Sequence, residues 1–251
     1  MTDLVNYKIH ETAIVENIKN IGSECVIGPF CIVGKNVKLG NRVKLHSHVV
    51  VVGNTVIGED TTVWPFASIG HQPQDLKYAG ESNSLIIGAR NKIRESVSIN
   101  PGTKGGGGCT KIGDDCLLML GSHIGHDCMI GNSVIIANNS AIAGHVVIGD
   151  NVTIGGLSGI HQYCRIGEGA MVGALSMVTN DIIPYTMVVG DRPRLSGLNL
   201  IGLKRRGVSI KIINDLKRIY SKLFQPSKNL RGQAENILSS GISNEYEDKI
   251  V

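Results

Sequence analysis

The sequence predicts a mainly β protein: a parallel β-helix of hexapeptide repeats followed by a small C-terminal α-helical domain. Three observations predict it. An aliphatic residue recurs every six positions in long runs between Ile21 and Val178, broken by two pauses. Glycine follows many of these aliphatics, and a small or β-branched residue stands four positions after most of them. Aromatic residues make up only 4% of the chain while glycine reaches 32 residues, which suits thin regular layers rather than a bulky core.

The first run of the repeat is Ile21, Ile27, Val33, Leu39, Leu45, Val51, Ile57, Val63 and Ile69. It is followed by Gly22, Gly28, Gly34, Gly40, Gly58 and Gly70. Each unit reads as a short strand and a turn, with the aliphatic inward, glycine making the corner and the second small residue filling the remaining interior slot. The repeat pauses over 70–86 and resumes in phase at Ile87, Ile93 and Ile99. It pauses again over 100–111 and restarts one position out of phase at Ile112. From there it runs unbroken through Leu118, Ile124, Ile130, Ile136, Ile142, Ile148, Ile154, Ile160, Ile166, Val172 and Val178. The pauses are expected to be extruded loops, which in a strict repeat lie on a binding face. The run Gly105–Gly108 in the second loop fails the P-loop spacing and has no strand-to-helix switch around it.

Residues 1–189 therefore read as the β-helix and 190–251 as a helical domain. Ser209 is placed to cap a helix with apolar positions Ile210, Ile213, Leu216, Ile219, Tyr220 and Leu223, ended by Pro226. Asn229 is placed to cap a shorter helix through Leu238, and 243–251 reads as a polar final segment.

The net charge of +4 is mild and does not argue for nucleic acid. No apolar run approaches the roughly 18 residues of a membrane helix. The N-terminus lacks the basic and apolar segments of a signal peptide, so a cytoplasmic protein is expected. Six cysteines without CxxC spacing fit a reducing compartment. Cys25, Cys31, Cys116, Cys128 and Cys164 fall on the small interior slot and read as buried thiols. Cys109 falls in the second loop with no neighbouring base in sequence.

Chemistry concentrates in the second block. His123, His126, His145 and His161 lie close together in sequence there, and none occupies a core slot. The period fixes six residues per unit; if a coil holds three units, residues about 18 apart stack directly, in coils about 4.8 Å apart. His126 then stacks under Gly144 and Gln162, and Asp127 under His145. Surface histidines with no task are one reading, and a non-catalytic scaffold follows from it. A zinc site on His123, His126 and His145, as in repeat-built carbonic anhydrases, is a second. The third is general-base catalysis: a neutral imidazole takes a hydroxyl proton, a carboxylate orients the ring, and the Gly144 N–H stabilises an oxyanion. That combination serves acyl transfer from a thioester.

Further motifs are Gln74–Glu81, Arg94-Glu-Ser96, His123-Ile-Gly-His-Asp-Cys128, Ala137-Asn-Asn139, Ala143-Gly-His145, His161-Gln162 and Gly202-Leu-Lys-Arg-Arg-Gly207. Together they resemble the UDP-N-acetylglucosamine O-acyltransferase family of lipid A biosynthesis, from the first coils through the helical tail. The resemblance implies three repeats per coil and a left-handed helix. It implies transfer of an (R)-3-hydroxyacyl chain from acyl carrier protein to the glucosamine 3-hydroxyl of UDP-N-acetylglucosamine, with a 3-amino sugar as the alternative acceptor. His126 would be the base, Asp127 its orienting partner and Gly144 the oxyanion donor. Gln74 belongs to the same substrate-binding motif as Asp75 and Lys77. Asp75, Lys77, His123, His145 and Gln162 would hold sugar and diphosphate, and His161 the acyl or pantetheine arm. Asn199 and Arg205 would reach the nucleotide, with Arg205 or Arg206 suited to phosphate. The family is a homotrimer with sites between subunits and basic residues facing the carrier protein, and it uses no metal or tightly bound cofactor.

The sequence departs from the family pattern at three positions. Ile201 stands where many members carry a Glu near the nucleotide. Arg192 stands where a His often helps close the acyl groove, and Ala174 where a Gly often leaves room for a longer chain. The extra methyl favours a chain no longer than the longest used in the family.

Overall fold

The computed structural model describes residues 7–225, 229–242 and 244–251. Pro226, the expected helix stop, and the first six residues lie outside them. Two-residue strands wind into a left-handed three-faced prism of parallel strands. The first face carries 11 strands, the second 9 and the third 7. Successive strands visit the faces in turn, so Val26–Ile27, Ile32–Val33 and Lys38–Leu39 make one coil.

Register fixes the coil length. Lys8 pairs with Val26, and His123 with Ala141, each an offset of three hexapeptides. Across the first loop Ser68 pairs with Ser98, an offset of five hexapeptides. Across the second, Ser98 pairs with His123, an offset of four hexapeptides and one further position. The first insertion thus adds two whole hexapeptides and keeps the phase. The second adds one hexapeptide and a single extra residue, which is the shift the sequence shows at Ile112. The loops are shorter than the pauses. Ser84–Ile87 and Cys109–Ile112 are strands of the third face, so Cys109 is not a loop residue.

The aliphatic column is buried along the whole prism: Ile27, Ile57, Ile99, Ile124 and Val172 are at most 1% exposed. At about 25 cal/mol per Å² of apolar surface, this column dominates folding. The small slot is also buried, and it is more than a gap. Sγ of Cys25, Cys31, Cys116 and Cys128, and Oγ of Ser140 and Ser158, donate to a carbonyl of the next coil at 2.8–3.2 Å. A small donor at each such corner satisfies a carbonyl that the strand ladder leaves free. Burial pushes the Cys128 thiol up to about 12 and Cys116 to about 11, so neither is a ready nucleophile.

Glycine does not make most corners. Gly22, Gly28, Gly40 and Gly58 lack left-handed φ. They are glycine because a Cβ would stand within 2.9 Å of backbone atoms of the next coil. The left-handed residue lies two positions later and usually has a side chain: Glu24, Phe30, Arg42 and His48 have φ of 57–60°. Stacked coils hold this conformation in place although it costs about 1–2 kcal/mol per residue.

The end of the prism is capped by Thr186–Val189 and an antiparallel strand Arg194–Leu198 on the first face. The helices follow: α1 (Leu200–Arg205), α2 (Ile210–Leu223), α3 (Leu230–Ser240) and α4 (Glu245–Ile250). Ser209 caps α2 and Asn229 caps α3. Ile213, Leu216, Ile219 and Leu223 face a second core built around Tyr185 and Leu203, whereas Ile210 is 77% exposed. The last segment is helical rather than merely polar: Ile250 is buried, and Lys249 Nζ meets Glu168 Oε2 at 2.6 Å.

Candidate active site

Each corner of the prism stacks its left-handed residues into a column. On the second corner, between the second and third faces, that column is Asp127, His145 and Tyr163, with φ of 59°, 63° and 67°. Both long loops, 70–83 and 100–108, leave from this same corner in the two preceding coils. Chain geometry thus delivers loop cover to the corner that holds the imidazoles.

Asp127 is buried, its side chain at 0% exposure. Its Oδ2 accepts from His126 Nδ1 at 2.8 Å and from the Thr103 hydroxyl at 2.6 Å. The Thr103 N–H reaches both carboxylate oxygens, at 2.9 and 3.0 Å. With Nδ1 of His126 engaged as a donor, its Nε2 is left with the lone pair a general base needs. Gly144 lies one coil on, and a Cβ there would sit 2.6 Å from the His126 ring. Its N–H donates to no protein acceptor among the described residues.

His145 stands 4.0 Å from Asp127 Oδ2, edge-on to His126 at 4.9 Å, and stacks on Tyr163 at 4.5 Å with the rings 7° from parallel. Burial holds its basicity below the ordinary imidazole range, against the pull of Asp127. Burial, then the His126 charge, lowers His123 likewise, and its Nδ1 shares a 2.8 Å hydrogen bond with Ser98 Oγ. Asp75, Lys77, Thr103, Lys104, His145 and Tyr163 line one cleft of about 690 Å³. Gln74 is exposed on the same loop. His161 and Gln162 are exposed on the next coil, with His161 Nδ1 3.2 Å from the Gln162 carbonyl.

His126, Asp127 and His145 are the described residues whose ligand atoms fall within 4.8 Å of one another, and His123 is not in that group. Among the described residues of one chain, the three imidazoles of the zinc reading do not converge on one point.

Other residues singled out in the sequence sit elsewhere. Asn199 caps α1: its Oδ1 accepts from Gly202 N and its Nδ2 donates to Gly169 O, both at 3.0 Å. Arg206 lies on the Tyr185 ring at 5.7 Å and crowds Gly169, while Arg205 and Ile201 are exposed. Ala174 is exposed on the first corner, between the first and second faces. Arg192 lines a separate cavity of about 430 Å³ with Met177, Asp181, Arg194 and Phe224. One chain thus gathers His126, Asp127, Gly144, Asp75, Lys77 and His145, and leaves Asn199, Arg192, Ala174, Arg205 and Arg206 away from them. Sequence reasoning missed Thr103, Ser98 and Tyr163. Tyr163 is findable, since it stands one coil after His145 in the repeat. Thr103 is not, because it sits in an insertion that the repeat does not index.

A hexapeptide prism with an oriented imidazole–carboxylate pair on a loop-covered corner defines a hexapeptide-repeat acyltransferase. Bacterial transferase hexapeptide repeats match 19–53, 109–144 and 145–180, and residues 181–250 match domain 2 of UDP N-acetylglucosamine O-acyltransferase. The chain belongs to the UDP-N-acetylglucosamine O-acyltransferase family. The acyl-[acyl-carrier-protein]–UDP-N-acetylglucosamine O-acyltransferase of Rhizobium johnstonii is 44% identical over 241 residues, 96% of this chain and 87% of that one. The enzyme of the same name from Paracoccus denitrificans is 57% identical over 165 residues, 66% of this chain and 63% of that protein. The UDP-N-acetylglucosamine acyltransferase structure from Campylobacter jejuni superposes with a TM-score of 0.91 at 37% identity, over 97% of this chain and 94% of that one.

Proposed function

We propose that the chain transfers an (R)-3-hydroxyacyl group from acyl carrier protein to the glucosamine 3-hydroxyl of UDP-N-acetylglucosamine, the first step of lipid A biosynthesis. The observation that carries this reading is the His126–Asp127 pair beside a Gly144 N–H that has no acceptor among the described residues, in a member of this family. His126 Nε2 takes the proton as the sugar oxygen attacks the thioester carbonyl. The Gly144 N–H receives the developing oxyanion. Collapse breaks the C–S bond, and the imidazolium returns its proton to the phosphopantetheine sulfur. The acyl group arrives already activated as a thioester, so the step calls on no resident metal or cofactor.

In this reading Asp75, Lys77, His123, His145 and Gln162 hold sugar and diphosphate, with Gln74 beside them, and His161 meets the pantetheine arm. Asn199, Arg205 and Arg206 serve the nucleotide, and Ala174 and Arg192 bound the acyl chain. Because these last five lie away from the imidazoles within one chain, the complete site forms between copies, as a homotrimer in the cytoplasm. No helix of the described residues is long and apolar enough to cross a membrane.

The test is product identity. Hydroxyacyl carrier proteins of graded chain length are incubated with UDP-N-acetylglucosamine and with its 3-amino analogue, and products are read by mass spectrometry. An ester of the first sugar, with no gain from the longest chains, is expected. Amide product alone moves the acceptor assignment to the amine, and equal or better use of the longest chain removes Ala174 as a stop.

A further inference from the structure

The acyl-transfer reading assigns no role to Thr103 or to the glycines of loop 100–108 beyond lining and covering the cleft. We infer that the loop is a clamp on Asp127, and that Thr103 is a positioning residue for the His126–Asp127 pair. This inference rests on the reading of His126 as the base.

Three features of the loop converge on one carboxylate. Thr103 gives it a hydroxyl, at 2.6 Å to Oδ2, and an N–H shared by both oxygens, at 2.9 and 3.0 Å. Gly102 and Gly106 wall it in: a Cβ at Gly102 would come within 2.7 Å of Oδ1, and one at Gly106 would overlap Cγ, Oδ2 and Cβ. Neither glycine has left-handed φ, so each serves close approach, whereas Gly107 and Gly108, at 94° and 78°, turn the chain. The other loop holds the clamp shut. Glu81 accepts from Lys104 N at 3.1 Å and from Ala79 N at 2.9 Å, and backbone N–H groups, that of Ala79 foremost, keep its carboxyl below the usual range. From below, the Asp127 N–H donates to Thr110 Oγ1 at 2.8 Å.

The chemical consequence is a fixed tautomer. The Thr103 amide and hydroxyl both donate to Asp127, whose two oxygens as a carboxylate only accept. His126 Nδ1, on the same Oδ2 as the Thr103 hydroxyl, must then carry the proton. Nε2 is left unprotonated and aimed by a carboxylate that cannot rotate. A Gly-rich segment usually prompts a search for a bound phosphate; here the anion it encloses is the protein's own.

The experiment compares Thr103→Val, Thr103→Ser and Gly106→Ala with wild type. Steady-state kinetics is read together with the ¹⁵N tautomer signature of His126. Valine keeps the shape and the amide and removes the hydroxyl. A hydrogen bond to a charged group corresponds to about ten- to a hundred-fold in rate. Thr103→Val is expected to lose that much kcat, with KM for the UDP-sugar within about twofold. Its Nδ1–H population should fall, and Thr103→Ser should restore both. Gly106→Ala should give the same signature by displacing the carboxylate, and it decides the matter if the valine variant does not fold. Wild-type kcat and tautomer in both folded variants overturn the clamp. An inactive wild type whose tautomer still responds to Thr103→Val overturns the proposed reaction and leaves the clamp standing.

Discussion

Two corners of the prism use the same backbone and do different chemistry. The third corner, between the third and first faces, stacks Arg42, Asp60, Arg90 and Asp115 among its left-handed residues, these four with φ of 57–58°. Arg42 pairs with Asp60 and Arg90 with Asp115, each at 2.7 Å, and all four side chains are 40–48% exposed. The second corner stacks Asp127, His145 and Tyr163 in the same conformation, yet its carboxylate is fully buried. The difference is cover. Among the described residues, loops 70–83 and 100–108 both emerge at the second corner and none at the third. A hexapeptide coil supplies a column of fixed side-chain positions; an insertion decides whether that column is a solvated charge ladder or a desolvated site.

Glycine substitutions should separate the corners most sharply. A methyl at Gly58 on the third corner meets backbone of the next coil within 2.6 Å, which nothing can relieve. Gly58→Ala should cost about 3 kcal/mol of stability, read by denaturant unfolding. A methyl at Gly144 on the second corner meets the His126 ring at 2.6 Å, and a side chain can give way. Gly144→Ala should remain folded and lose about a hundred-fold or more in kcat. If both variants merely unfold, the second corner is ordinary scaffold.

Acid should act on the two corners in different windows. His123 and His145 are held below the usual value of 6.5 by burial, so unfolded chains bind more protons there. Stability from keeping them neutral is full above pH 6.5 and falls as pH drops toward their lowered values. Asp60 and Asp115 are lowered from 3.8 by their arginines, so their contribution persists until pH falls below that value. Melting temperature should therefore decline already as pH falls below about 6.5, and a His123→Asn, His145→Asn variant should flatten that decline. An unchanged slope would contradict the burial account of the second corner. The smallest effect belongs to the charge ladder: Arg90→Gln should leave kcat unchanged and move the melting temperature by about 2 °C or less, shrinking with salt.

Much of this molecule is legible in the sequence because the repeat repeats. Ile27 alone means little; an aliphatic at every sixth position to Val178 fixes the core, and the single extra residue in the second insertion accounts for its phase slip. Stacking arithmetic likewise puts His126 beneath Gly144 and Asp127 beneath His145, as the structure does. What the period does not index is harder to read. Glycine frequency points to turns, but the pressure on Gly22 and Gly58 is contact between coils, visible only in three dimensions. Thr103 reaches Asp127 through an irregular loop, and no spacing rule brings residue 103 to residue 127. Helix α4 is hidden because the charged run Glu245–Lys249 buries its apolar flank through few residues, Ile250 among them.

The central claim, that loop cover turns His126 into a catalytic base, is tested most directly by one comparison. Acyl transfer from hydroxyacyl carrier protein to UDP-N-acetylglucosamine is measured for wild type and His126→Ala at equal folded concentration. Loss of a general base predicts a fall of about a hundred- to ten-thousand-fold in rate with the melting temperature preserved. An active wild type whose His126→Ala variant keeps its rate would contradict the account.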